Sequence, residues 1–508
     1  VSIKKEYLQA SIGELACEPV EQTGPTSDFL YVDISSIDRE TKKITAAKNL
    51  TLSQAPSRAR QVLKSGDVLV SMTRPNLNAV ALVPKSLEGA IGSTGFHVLR
   101  SKWLKPEFLF ALVQTDDFIE AMCDLVQGAL YPAVRPKDIS AHQFTFESLA
   151  QQTRIVEKLE ELLSDLDAGV AELKAAQRKL SQYRQSLLKA AVEGALTAQW
   201  RAQHTPTETG AQLLERILTE RRARWEAKQL AKFEEQGKAP PKDWRKNYPE
   251  PTKPNTVNLP KLPNGWGWAT IEQISSDAKH SLAIGPFGSD LKVSDYRDAG
   301  TPLVFVRNIR AGQYGGTRTK YISSEKAAEL YAHSVIPGDV LITKMGEPPG
   351  DADVYPDNQP AGVITADCIK VSCWPGLLKP DYLKAAINSY IGQRQIKPIT
   401  QGVAQKKVSL GRFSGIAIPI PPAAEQTAIM EFFSAADNDA KAQGAAIELA
   451  LKQSAAQRKN ILKAAFSGQL VPQDPGDEPA AVLLERIRAE RAATAPAARR
   501  GRQTKVTA

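Results

Sequence analysis

Side chains suited to reading a nucleic acid are concentrated in a few turns of this chain. SMTRPNLNAV sets Arg74, Asn76 and Asn78 at alternating positions of one turn, and GALYPAVRPKDI adds Tyr131, Arg135 and Lys137. Further on, VRNIRAGQYGGTRTK carries Arg307, Asn308, Arg310, Gln313 and Arg318, ITKMGEPPG carries Lys344, and QGVAQKKVS carries Gln405, Lys406 and Lys407. Guanidinium and carboxamide groups can pair in two-pronged fashion with guanine and adenine edges in the major groove, while ammonium groups neutralise phosphates. Any one of these residues is also what an ordinary surface turn offers, so the argument for DNA rests on the sets.

Catalytic constellations are missing from the sequence. It has no GxxxxGK[ST] phosphate cradle and no HExxH, and its one close cysteine pair, Cys368 and Cys373, has no neighbouring histidine. His97, His142, His204, His280 and His333 are scattered. No glycine-rich turn after a strand suits a dinucleotide or adenosyl-methionine, and GEPPGD from Gly346 lacks the aromatic that base-methylating enzymes carry after Pro-Pro. Binding is favoured over catalysis, with no metal expected. The formal charge of +9 suits a polyanionic partner, although 56 acidic residues dilute the field. Four cysteines, Cys17, Cys123, Cys368 and Cys373, without CxxC or a secretory signal, point to a reducing interior, so the cytoplasm is expected. No apolar run reaches the roughly 18 residues of a membrane span.

The elements that must position these turns are dominated by two rods. From Gln151 to Gly194, Leu159, Leu166, Leu173, Leu180 and Leu187 recur every seven residues, interleaved with a second row of Ile155, Leu162, Gly169, Ala176, Tyr183 and Ala190. That is a coiled-coil seam, and the absence of Pro predicts one helix of about 42 residues and roughly 63 Å. The small Gly169 and Ala176 predict that the partner helix approaches closely there or supplies the bulk itself. The partner is in the same chain: QTAIMEFF from Gln426 begins a second rod 274 residues later, with Gln152 and Thr153 answering Gln426 and Thr427. Its seam includes Ile429, Phe433, Ile447 and Ile461.

The repetition extends beyond the rods. LKPEFLFALVQ from Leu104 answers LKPDYLKAAIN from Leu378, KSGDVLVSM from Lys64 answers IPGDVLITK from Ile336, and LLERI occurs at Leu213 and again at Leu483. An internal repeat of this length means two copies of a globular unit plus a long helix, in tandem. Short β-branched runs at Phe29 to Ile37, Asp67 to Ser71, Ala79 to Val83 and Phe96 to Leu99, then an amphipathic helix over Pro106 to Cys123, predict an α+β unit. After the first rod, Thr209 to Ala231 reads as an Arg-rich helix, and Gln236 to Pro263 as a linker too rich in Pro and Lys to pack. Ile284 to Ala299 has no counterpart in the first unit, and the tail from Ala492, with Arg499, Arg500, Arg502 and Lys505, reads as disordered. Because the frame repeats while the loops diverge, the two loop sets suit two readers of different sequences.

At this point the chain resembles the DNA-specificity subunits of type I restriction-modification systems. The words that carry the resemblance are PIPPAAEQTAI before the second rod, ILKAAFSGQLV at its end, LLERILTERRARW and LPNGWGW between the units, and GPFGSDL in the second. The first unit departs by lacking Pro-Pro before its rod, a GPFGS segment and a Trp-rich entry. The resemblance implies two α/β target recognition domains, at 1–147 and 264–422, separated by long spacer helices at 148–200 and 423–470. A short basic helix and connector then fill 201–263, and a short helix and basic tail 471–508. It further implies antiparallel rods and an approximate twofold relation, each domain reading half of a split, asymmetric duplex target while the rods set the spacing. Two methyltransferase subunits would dock on the rods and LLERI helices, and restriction or translocase subunits would join for cleavage. S-adenosylmethionine, ATP and Mg would belong to those partners, with no cofactor in this chain. A subunit serving a methylation-only or phage-exclusion system, an autonomous DNA-modifying enzyme, and a coiled-coil scaffold without a DNA role are the competing readings.

Overall fold

The structure, a computed structural model, describes residues 8–16, 18–126, 132–310, 314, 319–402 and 406–494. The sequence words that recur turn out to be the joints of the fold. In both KSGDV and IPGDV, the glycine (Gly66 and Gly338) takes φ of 86°, a left-handed turn that a Cβ disfavours. The following aspartate closes the turn: Asp67 accepts from the Lys64 N–H at 2.8 Å and Asp339 from the Ile336 N–H at 2.9 Å. Each turn launches a fully buried strand, Val68–Ser71 or Val340–Thr343.

Around that strand each module builds the same sheets. Val68–Ser71 lies antiparallel between Val80–Leu82 and Phe96–Leu99, and Val340–Thr343 between Ala352–Val354 and Cys368–Val371. A second sheet pairs Phe29–Val32 parallel with Ile91–Ser93 in one module and Thr301–Val304 with Gly362–Ile364 in the other. The segment peculiar to the second module begins with Leu282–Ile284, an extra edge strand on Cys368–Val371. A closing pair, Gln9–Ser11 with Gln143–Thr145 and Gly267–Thr270 with Ala417–Ile420, sets the start of each module beside the strand that feeds its rod. The helix expected over Pro106 to Cys123 is two, Pro106–Leu112 and Asp116–Asp124, because Thr115 caps the second by accepting from the Phe118 N–H at 3.2 Å.

The rods are single helices of 44 residues each, Leu149–Val192 and Ala423–Phe466, starting from matching clamps. Gln152 is fully buried; its carboxamide accepts from the Lys105 N–H at 3.0 Å and donates to the Glu147 carbonyl at 3.0 Å. Gln426 accepts from the Lys379 N–H at 3.1 Å and donates to the carbonyls of Leu377 at 2.8 Å and Pro421 at 3.0 Å. Each glutamine ties a rod to the LKP turn that opens a domain helix, which explains why both words repeat together.

Two compact units emerge, and they do not follow the linear order. One comprises residues up to Ala175 together with those from Ile447, the other Ala176–Ala446. In the first, Leu483, Leu484 and Ile487 of the helix Ala480–Thr494 share a core with Ile12, Leu15, Phe108 and Ile155. In the second, Leu213, Leu214 and Ile217 of the helix Gly210–Glu235 share a core with Trp266, Ile271, Tyr382 and Ile429. Each LLERI motif therefore packs on the domain that its own rod does not leave.

Within both units the rod segments run antiparallel. In the first, Asp167 pairs with Arg458, and Arg154 with Asp477 just beyond the second rod. In the second, a Cβ at Gly444 would lie 3.6 Å from Leu180, Arg184 pairs with Asp437 at 2.8 Å, and Arg201 with Glu425 at 2.8 Å. Asp437 also holds Lys441 at 2.9 Å. Burial works to raise its pKa, but hydrogen bonds from Lys441 and Arg184 outweigh that and hold the carboxyl below its ordinary value. Of the expected seam, Ile155, Leu159, Leu187, Ile429 and Ile461 are buried, each burial contributing about 1.5–3 kcal/mol. Leu162, Leu166, Leu173, Leu180, Phe433 and Ile447 are half-buried.

Two expectations are corrected. Gly169 is exposed, with nothing within 4 Å of where a Cβ would stand, and Tyr183 is 50% exposed, so no close approach occurs at Gly169. The connector also packs, Pro and Lys notwithstanding: Trp244 is 8% exposed and stacks on Trp225 of the Gly210–Glu235 helix at 5.8 Å, while Tyr248 meets the same ring edge-on at 5.4 Å. Aromatic burial offsets the poor packing of its neighbours.

Candidate nucleic-acid interface

The turn-forming segments singled out separately in the sequence meet in space, and they meet the same way in both modules. In the first, the Arg74 N–H donates to the Pro132 carbonyl at 2.8 Å and the Val134 N–H to the Met72 carbonyl at 2.9 Å. In the second, the Gly346 N–H donates to the Lys406 carbonyl at 3.1 Å and the Val408 N–H to the Lys344 carbonyl at 3.0 Å. These are one short antiparallel bridge, Thr73 to Ala133 and Met345 to Lys407. It joins a hairpin tip to a loop some sixty residues away in sequence and fixes both as one surface.

Arg74 and Asn76 stand exposed on the first tip, Arg74 in a left-handed conformation with φ of 50°. Arg135 and Lys137 are exposed on the joined loop, with Arg135 paired to Asp138 at 3.1 Å. Asn78 is a correction. It is 9% exposed, donates to the Val113 carbonyl at 2.8 Å and accepts from Lys42 at 2.9 Å, so its carboxamide is spent inside the fold. Tyr131, Gln313, Arg318 and Gln405 lie outside the described residues.

On the second tip, half-buried Lys344 donates to the Ala366 carbonyl at 3.0 Å and lies 6.0 Å from the ring of Phe287. Lys406 and Lys407 are exposed, and Lys406 is paired with Glu347. Arg310 pairs with Asp351 at 3.2 Å and donates to the Pro348 carbonyl, which draws the helix Val306–Arg310 onto the same tip. Arg307 is exposed, its guanidinium 3.9 Å from the Phe305 ring. Asn308 is the second correction: it is 3% exposed and accepts from the Phe305 N–H at 2.8 Å.

Three neighbours escaped the sequence reading. Lys42, in the hairpin between Ile37–Asp38 and Lys43–Ile44, reaches the first tip and donates to the Asn78 carbonyl at 2.5 Å. Burial, with the positive charges of Arg458 and Arg39 adding to it, pushes its pKa down to about 8. Glu347 and Phe287, the latter 64% exposed, belong to the second tip. The run Arg39 to Lys43 and the acid inside GEPPG were the available signals.

Residues 357–450 match the family described as the type I restriction modification DNA specificity domain. That span includes the 401–408 loop, the Gln426 clamp and much of the second rod. Over 420 residues the chain is 24% identical to the type I restriction enzyme EcoDI specificity subunit of Escherichia coli, covering 78% of this chain and 79% of that one. The EcoKI specificity subunit of Escherichia coli strain K12 is 22% identical over 426 residues, 77% of this chain and 74% of its own. Over most of its length the chain is similar to the type I restriction-modification specificity subunits. A solved structure from work on complex assembly and conformational transition of the type I R-M system has the same fold. Its TM-score is 0.65 at 24% identity, covering 91% of this chain and 98% of that one. The matched family segment lies wholly in the second half of the chain, and the internal repeat extends the same frame to the first. Among the described residues no helix is long and apolar enough to cross a membrane.

Proposed function

We propose that the chain is a non-catalytic, cytoplasmic reader of a bipartite duplex target, each module recognising one half through the surface formed by its hairpin tip and the loop bridged to it. The observation that carries this is the bridge itself: the same pair of backbone hydrogen bonds presents Arg74 and Asn76 in one module and Lys344, Lys406 and Lys407 in the other. A repeated frame with divergent exposed side chains suits two half-sites of different sequence. The rods, continuous over 44 residues or about 66 Å, set the distance between half-sites. Two methyltransferase subunits dock on the rods and on the helices carrying LLERI, bringing S-adenosylmethionine; restriction or translocase subunits bring ATP and Mg. The test is selection from a randomised duplex library by the full chain assembled with its modification subunits. Lys407→Ala and the double change Arg74→Ala, Asn76→Ala are each expected to alter enrichment in one half of the site only. Changes in both halves from either variant overturn the modular reading.

A further inference from the structure

On the second tip two carboxylates, Asp351 and Glu347, have the wrong charge for a surface that meets phosphates, and Glu347 is the more exposed of them. Glu347 lies in the turn between Val340–Thr343 and Ala352–Val354, its side chain 68% exposed, one residue past the bridge to Lys406. Cations surround it: Lys406 pairs with it, Arg310 donates to the carbonyl of the next residue, and Lys344 lies at the base of the same turn. The pair cannot be there for stability, because Lys406 is itself 45% exposed and an ion pair so open to water contributes little. Nor does the shared frame require a carboxylate, because the matching position of the first tip is Pro75. Against a polyanion, a carboxylate that gives up its cation to the phosphates is repelled unless it finds another donor. In the major groove those donors are the exocyclic amines of cytosine and adenine. Adenine sets its N7 acceptor beside the amine, which repels a group that only accepts, whereas cytosine presents its amine without an acceptor of its own next to it.

We propose that Glu347 is a specificity-determining residue of the second module, accepting a hydrogen bond from the exocyclic amine of a cytosine, with Lys406 holding the carboxylate in place until DNA arrives. The proposal rests on the reading of this surface as a DNA reader and narrows it to one base. The same randomised-duplex selection tests it, with the full chain and its modification subunits. The native chain is expected to demand cytosine at one position of the second half-site. Glu347→Ala should lower that preference by about 5- to 150-fold at that position alone. Glu347→Gln, which can donate as well as accept, should admit adenine there. Retention of the native preference by Glu347→Ala overturns the proposal. So does tighter binding of that variant to all duplexes alike, which would make the carboxylate a mere repulsive group, and so does a required base other than cytosine. If the native chain enriches no second half-site at all, the DNA-reading assignment falls together with it, an outcome distinct from loss of this contact alone.

Discussion

The two hairpin tips differ while the joints beneath them agree. Both rise from a GDV turn, both are bridged to a loop by the same pair of backbone hydrogen bonds, and both rest on a module whose rod is clamped by a buried glutamine. Yet the first tip exposes Arg74 and Asn76 and presses Lys42 against Asn78 with no carboxylate partner among the described residues, while the second surrounds its cations with Glu347 and Asp351. The buried groups are repeated because each satisfies backbone donors and acceptors that would otherwise stand unpaired. The exposed groups carry no such obligation, so they can diverge without cost to the fold. If that division is right, breaking the frame should damage the two modules alike, and editing the tips should damage neither.

The largest effect is expected from the clamps. Gln152→Leu strands two hydrogen-bonding partners and Gln426→Leu three, and each buried backbone group left unpaired costs about 1–3 kcal/mol. Gln152→Leu should destabilise by about 2 kcal/mol or more and Gln426→Leu by about 3 kcal/mol or more. Hydrogen exchange on the full chain would locate the damage, at Pro106–Leu112 for the first variant and Pro380–Asn388 for the second. Loss of protection in the opposite module from either substitution would show that the clamps are not equivalent local joints.

A smaller effect separates fold from recognition within a single turn. Asn78→Ala removes the donor to Val113 and an acceptor of Lys42, so thermal unfolding should show a loss of about 1–3 kcal/mol. Arg74→Ala, four residues earlier and exposed, should leave unfolding unchanged while relaxing one half-site by about 1–3 kcal/mol of discrimination. If both variants shift the melting curve equally, the turn is structural throughout and the first tip reads nothing.

That pair also shows where the sequence stops being legible. Arg74, Asn76 and Asn78 have equivalent claims by type and spacing, but Asn78 takes φ of 41° and turns its carboxamide toward Val113, a choice made by the helix packed beneath. Asn308 is lost to the interior in the same way, by capping the Phe305 N–H. The repeat, by contrast, was legible because its words are the joints: Gly with positive φ, Asp closing the turn, Gln reaching the LKP turn. The seven-residue rows announced long paired helices but not that their middle would stay half-buried, because periodicity reports a face and not the distance to its partner. The connector hid its packing for a related reason. Pro and Lys describe the backbone between anchors, whereas Trp244 and Tyr248 find their partner, Trp225, only once the chain folds back.

The smallest and most diagnostic effect concerns Lys42, where the first tip departs most from the second. Its folded pKa, pushed down to about 8, lies below the ordinary value of 10.5, so between those limits the unfolded chain binds more protons than the folded one. Stability should therefore rise as pH climbs through that window and be flat below about 8, where both states hold the proton. Lys42→Met should abolish the slope. DNA adds a second sign. A phosphate brought to the first tip would favour the charged ammonium against the repulsion of Arg39 and Arg458, so binding above pH 8 should be accompanied by proton uptake. Calorimetric titration with a target duplex in two buffers of different ionisation enthalpy measures that uptake directly, and Lys42→Met should remove it. Uptake that persists in the variant would place the titrating group elsewhere, and the absence of uptake in the native chain would mean that DNA stays clear of the first tip.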